Sequence, residues 1–293
     1  MEQVSYKVTT ARYHKCRLLV TVSSRCYVQM AIRFAFLVVC AGAILAPLVS
    51  AESTDCTTPV LIVTDGRFTA STFAQGATYW YGIYAQGGHS YAVEFVPAAD
   101  NYLNAVTVQF GPISVYGPTD TLPGCHGNST VSVTQNSGYS PVLKNGNGTG
   151  RRVSFTAQRA GLHVISITNA TTGASAYSFR AVDTTLFNPR WSAYGGYDNA
   201  WGFLNVSDMT IVGILTVNDV NGHAVASAQI TILPGAERFT YTTPSEMSVP
   251  RNVAGYATFT HNGPPGSIIA DAYMQNLAVG VVFVSRFDTR GMQ

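Results

Sequence analysis

From residue 52 onward the chain alternates apolar and polar positions with period two, in short aromatic or β-branched runs, and no stretch sustains the 3.6-residue period of an amphipathic helix. The pattern predicts strands at Thr58 to Val63, Tyr79 to Tyr84, Tyr91 to Val96, Ala105 to Phe110, Arg152 to Thr156, Leu162 to Thr168 and Ala176 to Ala181. Gly76, Gly87-Gly88, Gly111-Pro112, Asn145-Gly146, Ala160-Gly161 and Thr172-Gly173 separate these runs and supply the backbone angles of tight connections. In Leu162 to Thr168 apolar side chains fall on both faces, as expected of an inner strand of a sandwich. Residues between Gly117 and Gly150 shift to Gly, Asn, Ser, Thr and Pro, predicting a long connection with one short strand at Thr130 to Thr134.

A second series of strands follows Pro189: Trp201 to Asn205, Thr210 to Asp219, Ala224 to Leu233, Arg238 to Thr242, Ala254 to Thr260, Ser267 to Gln275 and Val279 to Phe287. Asn221-Gly222 is the sharpest hairpin signal, because both positions tolerate the positive φ that a two-residue turn needs. The expected fold is all-β, with two consecutive β-sandwich domains, immunoglobulin-like or jelly-roll-like, at 52–187 and 188–293.

The 51 residues before this region read differently. Met30 to Ala51 has a basic start at Arg33, an apolar core from Phe34 to Val49, Pro47 near its end and small residues at Val49-Ser50-Ala51, the pattern of an export signal cleaved between Ala51 and Glu52. The apolar run, interrupted by Pro47, is short for a spanning helix of ~20 residues, so no stable membrane insertion is expected once it is removed. Residues 1–29 are expected to be dispensable, with Met30 a candidate start. Leu37-Val38-Val39-Cys40 has the outline of a lipoprotein box, but Val39 is not the small residue that chemistry wants.

Removing this leader changes the charge. The whole chain carries 17 basic and 15 acidic residues; six of the basic and one of the acidic lie in 1–51, leaving 11 and 14, or about −3. Lys144 is then the one lysine left and the arginines are scattered, which argues against nucleic acid as a partner. Of five cysteines, Cys56 and Cys125 remain, and an oxidising compartment predicts that they form one disulfide, with two buried thiols as the alternative.

Catalytic signatures are missing from the sequence. No Gly-x-Ser-x-Gly, His-Glu-x-x-His or phosphate-loop string occurs, and no two of His89, His126, His163, His223 and His261 stand at the spacing of metal ligands, so no cofactor or metal is expected. His89, His223 and His261 fall in or beside turns and are expected to be exposed. Glu94, Asp100, Asp183, Asp198 and Asp271 lie near strand ends and are expected to be turn or solvated residues; a glycosidase pair among them could be recognised only in space. Asn128, Asn147, Asn169 and Asn205 begin Asn-x-Ser/Thr sequons.

Aromatic residues are the more informative group. Tyr79, Trp80, Tyr81, Tyr84 and Tyr91 gather in what reads as one hairpin, with Tyr79 and Tyr81 on one face and Trp80 and Tyr84 on the other. Trp191, Tyr194, Tyr197 and Trp201 cluster just after Pro189, and a Gly-rich loop makes the first three candidates for an exposed ligand surface.

Four segments carry a family resemblance: Ala77-Thr78-Tyr79-Trp80-Tyr81-Gly82-Ile83, Gly87-Gly88-His89-Ser90-Tyr91-Ala92-Val93, Arg159-Ala160-Gly161-Leu162-His163-Val164-Ile165-Ser166-Ile167 and Gly173-Ala174-Ser175-Ala176-Tyr177-Ser178-Phe179. In this order they make residues 58–187 resemble the bacterial pre-peptidase C-terminal domain family, small β-sandwiches appended to secreted proteins. Gly263-Pro264-Pro265-Gly266 with Ala270-Asp271-Ala272-Tyr273 makes the second half similar to uncharacterised β-sandwich repeats of secreted bacterial proteins. Neither resemblance implies catalysis. Together with the leader they imply a secreted, periplasmic or cell-surface protein that is not an enzyme and acts by adhesion or protein association. The alternatives are a carbohydrate-binding accessory module using Trp191, Tyr194, Tyr197 and Trp201, and a secreted hydrolase. The expected partner is an extracellular protein or polysaccharide.

Overall fold

Period-two patterning with glycine-bearing turns yields eighteen strands among the described residues, and none of those residues is helical. The computed structural model describes residues 52–97, 110–120, 131–137, 150–170, 173, 175–243 and 245–289; the signal segment and Cys125 lie outside them. Strands are numbered in chain order. A first sheet has the order β1 (Val60–Leu61), β3 (Thr78–Ala85), β8 (Gly161–Asn169), β5 (Phe110–Tyr116). A second has β2 (Thr69–Phe73), β9 (Ser175–Asp183), β4 (Ser90–Pro97), β7 (Arg151–Thr156), β6 (Val133–Ser137). The third is β13 (Ala224–Ile232), β12 (Ile211–Asp219), β15 (Ala254–His261), β10 (Leu186–Ser192), β18 (Asp288–Thr289). The fourth is β14 (Glu237–Tyr241), β11 (Asp198–Asn205), β16 (Ile268–Asn276), β17 (Val281–Arg286). The all-β, layered architecture read from the alternation is therefore present.

Each pair of sheets closes over its own apolar interior. In the first, Tyr79, Tyr81, Ile83, Ile165 and Ile167 of one sheet meet Tyr91, Val93, Phe95, Val153, Tyr177 and Phe179 of the other. Phe73 stacks on Tyr177 with ring centroids 3.8 Å apart, and the hydroxyls of Tyr81 and Tyr177 bond to each other, which satisfies the polar ends of two buried rings. In the second, Trp191, Leu215, Val217 and Phe259 pack against Trp201, Phe203, Ala270 and Ala272. The close approach of Phe203 and Phe259, at 4.3 Å, is made across the two layers.

Several elements differ from the sequence reading. β3 and β4 do not form a hairpin: β3 pairs with β8 and β4 with β7 and β9, so the Gln86–His89 turn passes from one layer to the other. Gly111-Pro112 lies inside β5 at a register irregularity rather than between strands, tolerated because β5 is an edge strand whose outer side needs no N–H. Residues 105–109 of the strand expected there lie outside the described region. The short strand expected at Thr130 to Thr134 runs instead from Val133 to Ser137. β2 was not foreseen.

Pro189 is likewise inside a strand. β10 pairs with β15 on both sides of a bulge between Asn188 and Trp191, which absorbs the proline, and Leu186 already belongs to the second core. The crossing between the two sheet pairs is thus Thr184-Thr185, both buried, and not a flexible linker. Thr184 Oγ1 donates to Ser90 Oγ (3.0 Å), the Ser90 N–H donates to Thr185 Oγ1 (2.9 Å), and the His261 N–H donates to Ser90 Oγ (3.2 Å). These bonds tie β4 of the first pair to β15 of the second.

Candidate functional site

Outward-facing positions of the fourth sheet build an apolar face from the register alone. Ala200 of β11 stands opposite Tyr241 on one side and Tyr273 on the other, and Tyr273 stands opposite Val284. Cross-strand partners share a face, so Tyr241, Ala200, Tyr273 and Val284 form one row of roughly 14 Å, three strand spacings. In the next row Phe239 lies across Gly202; a Cβ there would come within 2.9 Å of its ring, so the glycine makes room for the aromatic. Phe239 also contacts the rings of Tyr241 (6.2 Å) and Tyr273 (6.1 Å). Ile269 and Val282 extend the face, and the Asp271–Arg286 ion pair at 3.5 Å bounds it.

This face ends on an open edge. β17 bonds only to β16 among the described strands, and its Val282, Phe283 and Val284 are all more than half exposed, as are Leu277 and Val279 in the preceding turn. Several other edges among the described strands are blunted: β5 carries Pro112, the stretch of β10 beyond β18 carries Pro189, and β14 carries Glu237 and Arg238. β13 is also uninterrupted, but its exposed side chains, Ala224, Ser227, Gln229 and Thr231, are small or polar. β17 is the edge that combines unpaired backbone groups with large apolar side chains.

The aromatic surface expected from the sequence does not assemble. Trp191 and Trp201 are fully buried in the second core, with the Trp191 indole N–H donating to the Asn218 carbonyl (2.8 Å), so neither ring can stack on a ligand. Proline inside β10 reads as a boundary and so puts Trp191 in a loop; Trp201 falls on the expected strand Trp201 to Asn205 and takes its buried face. Tyr194 is exposed and Tyr197 half-buried, its ring 6.2 Å from Phe283, so Tyr197 adjoins the β17 edge. Phe239, Tyr241 and Tyr273 were missed, although Arg238 to Thr242 already placed two aromatics on one face of a strand.

Polar residues expected in solvent are also moved inward. Glu94 is buried in mid-strand: Arg180 donates to its Oε2 from Nε (2.7 Å) and Nη2 (2.6 Å), and Arg152 Nη1 approaches Oε1 at 3.9 Å. Both arginines are its direct cross-strand partners. Arg152 Nη2 also reaches Met209 Sδ (3.0 Å), and burial holds its pKa below the ordinary arginine value against the opposing pull of Glu94. Asp183 is buried, and its Oδ2 lies 2.7 Å from His89 Nδ1 while Oδ1 accepts the Thr185 N–H (3.0 Å). His261, expected exposed, is buried between the sheet pairs; His223 is exposed as expected. Asp198 and Asp271 make exposed ion pairs with Arg251 and Arg286, and Asp100 and His126 lie outside the described residues.

Asn169 and Asn205 are internal fasteners. The Asn169 amide donates to the Ala74 and Gly173 carbonyls and that of Asn205 to Met209, Ile232 and Leu233, so neither sequon is open in the folded chain; Asn128 and Asn147 lie outside the described residues. Cys56 is buried beside Trp80, Tyr116 and Val164. Among the described residues no three His, Cys, Asp or Glu side chains gather as a metal-binding group, and no helix is long and apolar enough to cross a membrane.

No family model and no curated protein matches the sequence. Among solved structures, the chain is similar to Thermotoga maritima 1070, with a TM-score of 0.32, 11% identity, and coverage of 38% of this chain and 97% of that one. It is similar also to the full extracellular region of zebrafish Gpr126/Adgrg6 (TM-score 0.24, 7% identity, 81% of this chain) and to a glycosyl hydrolase family 2 member from Bacteroides cellulosilyticus DSM 14838 (0.20, 10%, 75%). The matches span only 30% and 31% of the length of those last two chains.

Proposed function

We propose that this is an exported, non-enzymatic protein that associates with other proteins at or outside the cell surface, through the aromatic face of its fourth sheet and the β17 edge. One observation carries the reading: an open strand edge with Val282, Phe283 and Val284 exposed is continuous with the row Tyr241, Ala200, Tyr273, Val284. Its occupant is an extended segment of a partner protein, added as a fifth strand. The segment's backbone satisfies the free N–H and C=O groups of β17, and its alternate side chains extend the apolar rows.

Site-specific photo-crosslinking from position 282 in the full chain on intact cells tests it. Discrete crosslinked species are expected there, lost when Val284→Lys is added, and not formed from position 84, where Tyr84 on the first sheet is more exposed than Val282. An unfolded variant is excluded by circular dichroism, since a lysine at so exposed a site costs at most about 0.5 kcal/mol. Equal crosslinking from both positions, or indifference to the lysine, would count against the edge. Export itself rests on the leader reading, and the expected mass of the released product begins at Glu52. A product retaining the leader inside the cell would remove that part.

A further inference from the structure

We propose that the cleft between the first sheet pair and the outer face of the third sheet, beside His89, is a binding site for a small neutral sugar. The cleft, about 570 Å³, falls in the size range of small-molecule sites. Its floor is the half-buried ring pair Phe187 and Tyr256, with centroids 5.4 Å apart, together with Thr216 and Thr258, directly paired across β12 and β15. The Gln86–His89 turn forms the opposite wall.

The decisive residue is Asn218. The residue is more than nine-tenths buried and lines the cleft, and its carboxamide, which bonds to none of the described residues, is not among the side-chain atoms sealed from solvent, so its polar tip opens into the cleft. Asn218 is paired directly with Tyr256 and follows Thr216 by two residues on β12, so strand alternation puts it on the same outer face as Thr216, Thr258 and Tyr256. The backbone there is clamped: the Trp191 indole N–H bonds the Asn218 carbonyl, and that oxygen would lie 2.0 Å from a Cβ on Gly255, so only glycine allows the approach. An amide on so fixed a backbone, with its tip open to the cleft, presents a donor and an acceptor in place for a ligand that exchanges its water for matching groups.

Chemistry of the lining narrows the class. Among the described residues, Thr216, Thr258, the Tyr256 hydroxyl and the Gln86 side chain likewise form no side-chain hydrogen bond, giving neutral donors and acceptors around an aromatic pair. No arginine or lysine lines the cleft, and His89 is already engaged by Asp183 at 2.7 Å, which rules against an anion as the occupant. Convergent hydroxyls and amides with an apolar ring surface suit a polyhydroxylated molecule that has both polar edges and C–H faces. This site is independent of the β17 edge.

Trp191, bonded to the Asn218 carbonyl, is a built-in reporter. The full-length protein is titrated with glucose, galactose, mannose and N-acetylglucosamine, and with inorganic phosphate and acetate as charged controls, by tryptophan fluorescence and calorimetry. At least one neutral sugar is expected to bind, with affinity falling about tenfold in Tyr256→Ala and about threefold in Gln86→Ala, while Tyr256→Phe retains most of it. Gln86 lies on an exposed turn, so its variant tests the site even if Tyr256→Ala fails to fold. The proposal is overturned if no sugar binds up to about 100 mM, if Gln86→Ala leaves sugar binding unchanged, or if phosphate or acetate binds in preference.

Discussion

Glu94→Ala is expected to destabilise the fold by about 3–5 kcal/mol, the cost of breaking a buried ion cluster from one side. The carboxylate sits at the centre of the second sheet with Arg152 and Arg180 as its neighbours on β7 and β9, and all three side chains are largely shielded from water. Arg180 is also held by stacking on Phe68, 4.5 Å from the ring centroid. Without the carboxylate, two guanidinium groups share a low-dielectric site in which Asp208 alone still offsets the charge of Arg152. Arg152, whose Nε already lacks a partner, has the least means of escape because Met209 covers it. Much of the loss is therefore the cost of the charges left behind rather than the worth of the bridge. Replacing the whole cluster, Glu94→Leu with Arg152→Met and Arg180→Met, is expected to recover a large part of the loss, since an apolar row of similar volume needs no counter-charge. Urea unfolding of the three proteins at neutral pH decides the matter. A Glu94→Ala loss below about 1 kcal/mol would mean that water reaches the cluster and that the ions behave as a surface pair.

Glu94 also shows why the fold was more legible than the polar interior. Tyr91-Ala92-Val93-Glu94-Phe95-Val96 is aromatic and β-branched, so the strand follows from the sequence, and period two puts Tyr91, Val93 and Phe95 together on the face that the fold turns inward. The same period puts Glu94 on the opposite face, and its place near the strand end makes solvent the expected surroundings of a carboxylate. What buries it is long-range: the register that brings Arg152 and Arg180 alongside, and the Met209 loop of the second sheet pair. Local periodicity carries no information about either.

Pro189 and the turn at Gly87-Gly88 show the second limit. Proline and glycine read as punctuation in the sequence, yet Pro189 is accommodated by a bulge, and Gly87-Gly88 turns the chain between layers instead of within one. The first error moved Trp191 to the surface, and with it the aromatic site. The face that does exist was hidden for a related reason. Tyr241 and Tyr273 are more than thirty residues apart and become neighbours only because β11 places Ala200 between them. Small residues at Ala200 and Gly202 are a readable signal, but only once the pairing is known.

The charge buried at the junction of the two sheet pairs makes stability depend on pH through His261. Its pKa is lowered to about 4, chiefly by burial and further by the neighbouring Arg152, against the opposing effect of the Thr184 backbone. Nδ1 accepts the Gly263 N–H at 3.1 Å, an arrangement available only to the neutral ring. The unfolded chain, with an ordinary histidine value near 6.5, binds the proton that the folded chain refuses between pH 6.5 and 4. Stability from this residue is therefore complete above about pH 6.5 and is lost as the pH falls towards 4, by about 3 kcal/mol in total and about 2 kcal/mol by pH 5. His163, whose pKa burial also lowers, adds a change of the same sign. In His261→Gln the side chain can still accept from Gly263 but does not titrate, so the difference in unfolding free energy between pH 7.5 and 5 should shrink by about 2 kcal/mol, leaving a residual slope from His163. A variant with the same pH dependence as the parent would mean that the imidazole opens to water when it is protonated. The junction would then yield there without loss of the two cores.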